Sequence, residues 1–237
     1  MSEPVTIAMY ADLACPYAYV SAYRLRKLRE EYRGRIAIEH KSLSLEYVNR
    51  EATPKALLES ELPYLVREEP GIPYQPWQRP ASEWPVTMWP AFEAVKCAQR
   101  QSLTLADDLD WAIRVAFFAE SRCISLRHVL LELVQQVGLD MDRFTDDFDR
   151  GVTKYQVLQE AREGWERLHV EGSPTFVLPS GKQISNVGLP EVTVDTNHPE
   201  RVIAVTPASC QGQGCLDIFR QMFAEAQQAA NHRSGQG

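Results

Sequence analysis

Near the start of the chain, an apolar run gives way to a helical pattern within the octet Asp12-Leu13-Ala14-Cys15-Pro16-Tyr17-Ala18-Tyr19. Residues 5–10 before the octet are predicted as a strand, and the amphipathic pattern after it predicts a helix to about Tyr32. Pro16 suits the first helical position, because its missing N–H would have no partner there. Cys15 would then stand at the positive end of the helix dipole, where the thiolate is favoured over the thiol. The octet therefore predicts a reactive cysteine at a strand-to-helix turn.

A single cysteine occupies this motif. In a dithiol redox pair a second cysteine would stand three positions after Cys15, where the chain has Ala18. A mixed disulfide formed at Cys15 could therefore not be resolved within the motif. The alternative interpretation is that Cys15 is a small buried apolar side chain, as free cysteines often are.

The composition is that of an ordinary globular protein, with 44% hydrophobic and 24% charged residues among 237. Its net charge of -7 argues against nucleic acid and against anionic membranes as partners, because both bind basic faces. No apolar run approaches the roughly 18 residues of a membrane helix, and residues 1–4 lead into the first strand without a basic and apolar leader. We therefore expect a cytoplasmic protein, in which reducing conditions favour free thiols over disulfides for the five cysteines.

The later elements suggest an α/β fold with a helical insertion. Residues 35–41 alternate apolar and polar, which predicts a second strand parallel to the first. Residues 49–168 are helical and interrupted by prolines, without a clear strand signal. The strand signal returns at 175–178, followed by a hairpin partner at 183–187 and a last helix at 216–229.

Residues 63–90 hold seven prolines together with Trp77, Trp84 and Trp89. So many prolines predict an ordered irregular loop rather than a helix or a sheet strand. The tryptophans indicate either a packed cover or the wall of a substrate groove, and the sequence favours neither. For the groove, Trp84 and Trp89 are the candidate substrate contacts.

Two more motifs follow the helical segment. The first is Gly172-Ser173-Pro174, where a serine–proline pair at the start of a buried strand is a good place for a cis peptide bond, which is nearly confined to proline. The second is the pair Cys210 and Cys215, whose sulfurs could close a small ring across two glycines. A zinc site at this pair would need two further ligands, and the sequence has no partner Cys-x-x-Cys or histidine pair, so no metal site is predicted.

Cys15-Pro16-Tyr17-Ala18 and Gly172-Ser173-Pro174-Thr175-Phe176, with helices between them, resemble the motifs of DsbA-like thioredoxin-fold proteins. The subgroup resembled contains the FrnE-type oxidoreductases and the 2-hydroxychromene-2-carboxylate isomerases, and is similar to kappa-class glutathione transferases. The resemblance implies an α/β thioredoxin fold with a large inserted helical domain. The expected division is a thioredoxin-like domain of 1–48 and 169–230, an insertion of 49–168, and a disordered tail of 231–237.

The resemblance also assigns roles to site residues. Cys15 takes the position of the nucleophile and Pro174 that of the cis-proline facing it, while the backbone of Ser173 would bind an extended substrate segment. The rest of the first motif is assigned to the same substrate surface: Pro16, Tyr17 and Ala18. Some FrnE-type members carry a second C-x4-C motif, which Cys210 and Cys215 match. Either this pair is catalytic and supplies the resolving thiol, or it is a pair of loop thiols or a structural disulfide.

The expected function is that of a thiol–disulfide oxidoreductase acting on protein or small-molecule disulfides. No tightly bound cofactor is expected, and glutathione or another low-molecular-weight thiol would be the co-substrate. One alternative is a glutathione-dependent isomerase or transferase acting on a small aromatic substrate. Another is a non-catalytic thiol-binding module. The sequence does not decide between a monomer and a homodimer.

Overall fold

The computed structural model describes residues 3–234, which form a sheet flanked by helices. The strands are β1 (Val5–Ala11), β2 (Ile36–Ser42), β3 (Thr175–Val177), β4 (Gln183–Ser185), β5 (Glu191–Val194) and β6 (Val202–Thr206). The helices are α1 (Pro16–Tyr32), α2 (Leu45–Asn49), α3 (Lys55–Val66), α4 (Trp89–Gln99), α5 (Leu103–Phe118), α6 (Arg127–Val137), α7 (Met141–Asp149), α8 (Lys154–Arg162) and α9 (Gln213–Ser234).

The central sheet has four strands in the order β2-β1-β3-β4. β1 is parallel to β2, as a strand–helix–strand unit predicts, and antiparallel to β3, which forms a hairpin with β4. One core forms where α1 and α9 cover the sheet, with Ile7, Met9 and Phe176 fully buried. The predicted thioredoxin fold with an inserted helical region is therefore confirmed.

The helices between β2 and β3 build a second core of their own. Its fully buried members include Ala91, Leu109, Ile113, Val134 and Phe144. Leu13 and Ala14 of the octet belong to this second core, whereas Cys15 and Ala18 belong to the core of the sheet. The octet thus lies where the two cores meet, and both determine its surroundings.

A buried ion pair joins the inserted helices to the sheet. The Lys96 ammonium of α4 lies 2.8 Å from the Glu160 carboxylate of α8, and both are almost fully buried. Glu160 also accepts the backbone N–H of Ser42 on β2 at 2.9 Å. None of the helices described is long and apolar enough to cross a membrane.

Two features differ from the sequence predictions. The last helix continues to Ser234, so 231–234 do not belong to a disordered tail, and 235–237 lie outside the described residues. The physical reason is the run of strong helix formers at 224–230, which is rich in alanine and glutamine. The sequence analysis also missed the two-stranded sheet of β5 and β6. The proposed domain boundaries remain a prediction.

Candidate active site

Cys15 stands immediately before α1, and Pro16 takes the first helical position as predicted. The thiol donates a hydrogen bond to the Ser173 carbonyl oxygen, with sulfur and oxygen 3.1 Å apart. The Ser173–Pro174 peptide bond is cis, which confirms the sequence prediction. The fold therefore brings together two motifs that lie 158 residues apart in the chain.

Ser173 makes a second contact with the same loop. Its side-chain oxygen accepts the backbone N–H of Asp12 at 2.8 Å, in a position where both residues are buried. One residue therefore holds the thiol through its carbonyl and the loop before Cys15 through its hydroxyl. This leaves the hydroxyl hydrogen free to donate, because the oxygen acts only as an acceptor toward Asp12.

The Asp12 carboxyl group shapes the turn. Its two oxygens accept the backbone N–H groups of Ala14 at 2.8 Å and Leu45 at 2.9 Å. Burial raises the pKa of Asp12 to about 6, although these two hydrogen bonds and the nearby Arg114 lower it. Sequence reasoning assigned no role to Asp12. An aspartate two residues before the N–H that it accepts is a turn signal that could have revealed its structural role.

Burial determines the protonation of Cys15. The residue is only 5% exposed, and this burial raises the pKa of the thiol to about 11. Hydrogen bonds from the Ser173 side chain and the Ala18 backbone lower the pKa, whereas the Asp12 and Glu61 charges raise it. A helix dipole stabilises the thiolate by about 0.3–1 kcal/mol, whereas the raised pKa corresponds to about 3 kcal/mol in favour of the thiol. The prediction that the thiolate is favoured at Cys15 was therefore wrong.

Arg114 of α5 holds the same loop from the side of the inserted helices. Its guanidinium donates to the carbonyl oxygens of Asp12 at 2.9 Å and Leu13 at 3.3 Å. It also donates twice to the Asp110 carboxylate, at 2.7 and 3.2 Å. Sequence analysis missed both residues, because an acid and a base four positions apart on a helix usually form an exposed pair.

Tyr17 connects the first turn of α1 to β5. Its hydroxyl oxygen accepts the backbone N–H of Val192 at 3.0 Å, and burial raises the pKa of Tyr17 to about 12. Tyr17 thus fixes the β5–β6 hairpin beside the start of α1. The assignment of Tyr17 to substrate binding remains a prediction.

A comparison with known protein families agrees with the thioredoxin-like geometry of this site. Residues 6–196 match the family described as DSBA-like thioredoxin domain. The chain belongs to the DsbA-like thioredoxin family. A search of curated protein sequences gives no match.

Solved structures show the same DsbA-like fold. A proposed protein disulfide isomerase from Nitrosomonas europaea has a TM-score of 0.63 at 15% identity, over 94% of this chain and 99% of that one. The cytosolic disulfide reductase DsbM from Pseudomonas aeruginosa has a TM-score of 0.57 at 20% identity, over 93% and 100%. A 2-hydroxychromene-2-carboxylate isomerase has a TM-score of 0.56 at 18% identity, over 76% and 87%. At these identities the likeness shows the fold alone.

The C-terminal cysteines of this DsbA-like chain form a disulfide, Cys210–Cys215. The Cys210 sulfur lies 3.4 Å from the Gly188 carbonyl oxygen, which also accepts a hydrogen bond from Arg24 at 2.7 Å. Arg24 lies about 13 Å along the axis of α1 from Cys15. The disulfide therefore packs beside the middle of α1, whereas the Cys15 thiol contacts Ser173. A catalytic role for Cys210 and Cys215 remains a prediction.

The tryptophans of the proline-rich loop pack within the inserted helical region. Trp84 contacts Trp77 and Phe117 edge to face, with ring centroids 4.9 and 5.1 Å apart. Trp89 begins α4 and packs against the second core. The cavity beside Trp84 holds about 20 Å³, which is room for about one water molecule. These are contacts of a packed cover, and substrate binding by Trp84 and Trp89 remains a prediction.

Ser173→Ala is expected to destabilise the loop before Cys15 and to make the Cys15 thiol harder to deprotonate. The buried Asp12 N–H loses its acceptor, which should lower the free energy of unfolding by about 1–3 kcal/mol. Loss of the hydroxyl should raise the Cys15 pKa further, because that side chain lowers it in the native site. Denaturant unfolding and the pH profile of iodoacetamide labelling at Cys15 measure these effects. The exposed Ser180→Ala is the control, and a variant of Ser173 that matches it in both measurements would contradict these roles.

Proposed function

We propose that this DsbA-like protein is a thiol–disulfide oxidoreductase whose single reactive group is the Cys15 sulfur. The observation that carries the proposal is the contact of that thiol with the Ser173 carbonyl, directly before the cis Pro174. Family membership supports the reaction class. The position of Cys15 before a helix supplies backbone N–H groups for the anion that the reaction requires.

The proposed first step is attack by the Cys15 sulfur on one sulfur of a substrate disulfide. A bond forms between the two sulfurs, the substrate S–S bond breaks, and the leaving sulfur takes the electron pair. The proton that Cys15 loses balances the proton that the leaving thiolate gains. The products are a mixed disulfide on Cys15 and one free thiol.

Activation of Cys15 is coupled to substrate binding in this proposal. A substrate backbone N–H that donates to the Ser173 carbonyl would take the acceptor from the Cys15 thiol. The Ser173 hydroxyl and the Ala18 N–H would then remain to stabilise the thiolate, in keeping with their lowering of the Cys15 pKa. A buried resting thiol avoids reaction with unbound solutes, because the thiolate is the reactive form.

The second step requires an external thiol. Ala18 replaces the local resolving cysteine, and the Cys210–Cys215 pair is already oxidised. Glutathione or another low-molecular-weight thiol would attack the mixed disulfide, form a new disulfide with the bound substrate half and release Cys15 as a thiol. A structure of DsbM with GSH has a TM-score of 0.51 at 21% identity. On this likeness we propose glutathione as the external thiol of the second step. A cytoplasmic location, with its glutathione pool, belongs to the same proposal.

Single-turnover release of thiol from a fluorescent peptide–glutathione disulfide tests this function. Excess protein should release about one equivalent of thiol per disulfide, and added glutathione should regenerate free Cys15. No release at excess protein would contradict the proposal. Glutathione binding without release would instead favour an isomerase or transferase that uses glutathione.

The double variant Cys210→Ser/Cys215→Ser should keep both steps of the reaction. We expect thiol release and regeneration by glutathione within about twofold of the native rates, because the disulfide packs beside Arg24 rather than against the Cys15 sulfur. Stability should fall by about 2 kcal/mol, as expected for a short closed loop. Native thiol release with lost regeneration would show that this pair supplies the resolving thiol.

A further inference from the structure

A cleft of about 400 Å³ lies between the end of α1, the start of β2 and the start of α5. This volume falls within the range of about 300–1,000 Å³ that small-molecule sites have. Leu28, which lines the cleft from α1, is about 20 Å along the helix axis from Cys15. The cleft is therefore separate from the proposed active site, and its occupancy does not depend on the proposed exchange reaction.

The walls of the cleft are mainly apolar. The apolar side chains that line it include Leu25, Leu28, Tyr32, Ile36, Ile38 and Phe223. Ile36 and Ile38 are only partly buried, although both pack against the core of the sheet. A ligand with an aliphatic chain would remove this remaining apolar surface from water, which is favourable.

Three arginines lie beside the cleft at the end of α1. Arg29 and Arg33 line it, and the Arg35 guanidinium lies over the ring of Tyr32, 5.1 Å from the ring centroid. Arg35 also donates to the Glu31 carbonyl oxygen, which offsets the negative end of the α1 dipole. Within residues 3–234, Arg35 forms no ion pair with a carboxylate.

The acids close to these arginines are held by other groups. Asp107 lines the cleft, but its carboxylate contacts the Arg26 guanidinium at 3.3 Å and the His40 ring at 2.9 Å. The Glu31 carboxylate accepts two hydrogen bonds from Arg220, at 2.8 and 2.6 Å. The charges of Asp107 and Glu31 are therefore offset within the protein.

Arg33 has only a weak partner. It pairs with Glu30 on α1, and the two side chains are 72% and 73% exposed. An exposed pair of this kind contributes little, so another carboxylate can replace Glu30. On the opposite wall, α5 begins with Leu103 and Thr104, and the positive end of its dipole adds to the arginines.

We propose that this cleft binds a small aliphatic carboxylate, with its chain against Leu28 and Ile36 and its carboxylate against Arg33 and Arg35. The chain matches the apolar walls, and the anion matches the two arginines that lack a strong carboxylate partner. A guanidinium can bind a carboxylate through two parallel N–H···O bonds. Binding is non-covalent, and no step at Cys15 uses it.

Isothermal titration calorimetry with octanoate tests this site in the full-length protein at low ionic strength. Acetate carries the charge without the chain, and 1-octanol carries the chain without the charge. We expect octanoate to bind with a Kd at least about tenfold lower than that of either. A Kd no lower than that of acetate would contradict the apolar site, and one no lower than that of 1-octanol would contradict the role of the arginines.

Two variants separate the charges from the walls. Arg33→Gln/Arg35→Gln should raise the Kd of octanoate about tenfold or more and change that of 1-octanol by less than about twofold. Thr104→Trp should raise the Kd of both ligands about tenfold or more, because Thr104 is an exposed residue of the wall and an indole there fills the cleft.

Arg167→Gln is the matched control, since Arg167 is also 72% exposed and pairs with a nearby glutamate. It should leave both Kd values unchanged, and circular dichroism tests whether each variant folds. Unchanged octanoate binding in Thr104→Trp would place the ligand elsewhere and overturn the proposal. Unchanged octanoate binding in Arg33→Gln/Arg35→Gln would overturn the role of the arginines.

Discussion

Cys15→Ser is expected to lower the single-turnover rate of thiol release by about a thousandfold or more with every disulfide. The reason is chemical: a serine hydroxyl keeps its proton near neutral pH and does not displace sulfur from a disulfide. The fold should persist, because the hydroxyl can donate to the same Ser173 carbonyl oxygen as the thiol. Stopped-flow or quenched thiol assays with excess protein measure the rate.

Cys123→Ser is the matched control, since Cys123 is also a free cysteine but is half-buried in the inserted helical region. It should keep the native rate. A Cys15→Ser variant that folds and retains more than about a tenth of the native rate would show that the reactive sulfur lies elsewhere.

Arg114→Leu is expected to have the largest effect on stability, a loss of about 3–5 kcal/mol at pH 7. The substitution leaves the buried Asp110 carboxylate without its guanidinium and removes the donors from two loop carbonyl oxygens. Urea unfolding gives the free energy. Arg150→Leu is the control, because the Arg150–Asp146 pair is exposed and should contribute less than about 1 kcal/mol.

The effect of Arg114→Leu should depend on pH in a defined direction. Burial on its own would raise the pKa of Asp110, but Arg114 and then His40 outweigh it, and the net pKa is lowered. The native pair therefore stabilises the fold above the unfolded pKa of about 3.9 and loses this effect as pH falls through the folded value. Without Arg114, burial favours the protonated form, so the difference between variant and native protein should narrow between pH 7 and about pH 4. A loss below about 1 kcal/mol at pH 7 would contradict the role of Arg114.

Local rules made much of the fold predictable from the sequence. Pro16 at the start of α1 follows from the chemistry of proline, whereas the cis Ser173–Pro174 bond also needed its position before a buried strand and the family resemblance. The strand and helix order follows from apolar periodicity and right-handed crossovers. The contact between the two motifs came from their resemblance to the family, because no local rule joins residues 158 positions apart.

The protonation state of Cys15 could not be predicted in this way. The helix dipole is a local property that the sequence reveals, whereas burial of the thiol depends on how the octet fits between two cores. Arg114 escaped detection for the same reason. Its spacing from Asp110 along α5 is ordinary, and only tertiary packing places it against the active-site loop.

Peptide mapping by mass spectrometry after reaction with the peptide–glutathione disulfide tests most directly whether the Cys15 sulfur is the atom that exchanges. Protein quenched with acid before any second thiol is added should carry one disulfide-linked substrate half, located on the segment that contains Cys15 and removed by excess glutathione. A substrate half found only on Cys97 or Cys123, or thiol release without any group on Cys15, would contradict the proposed function.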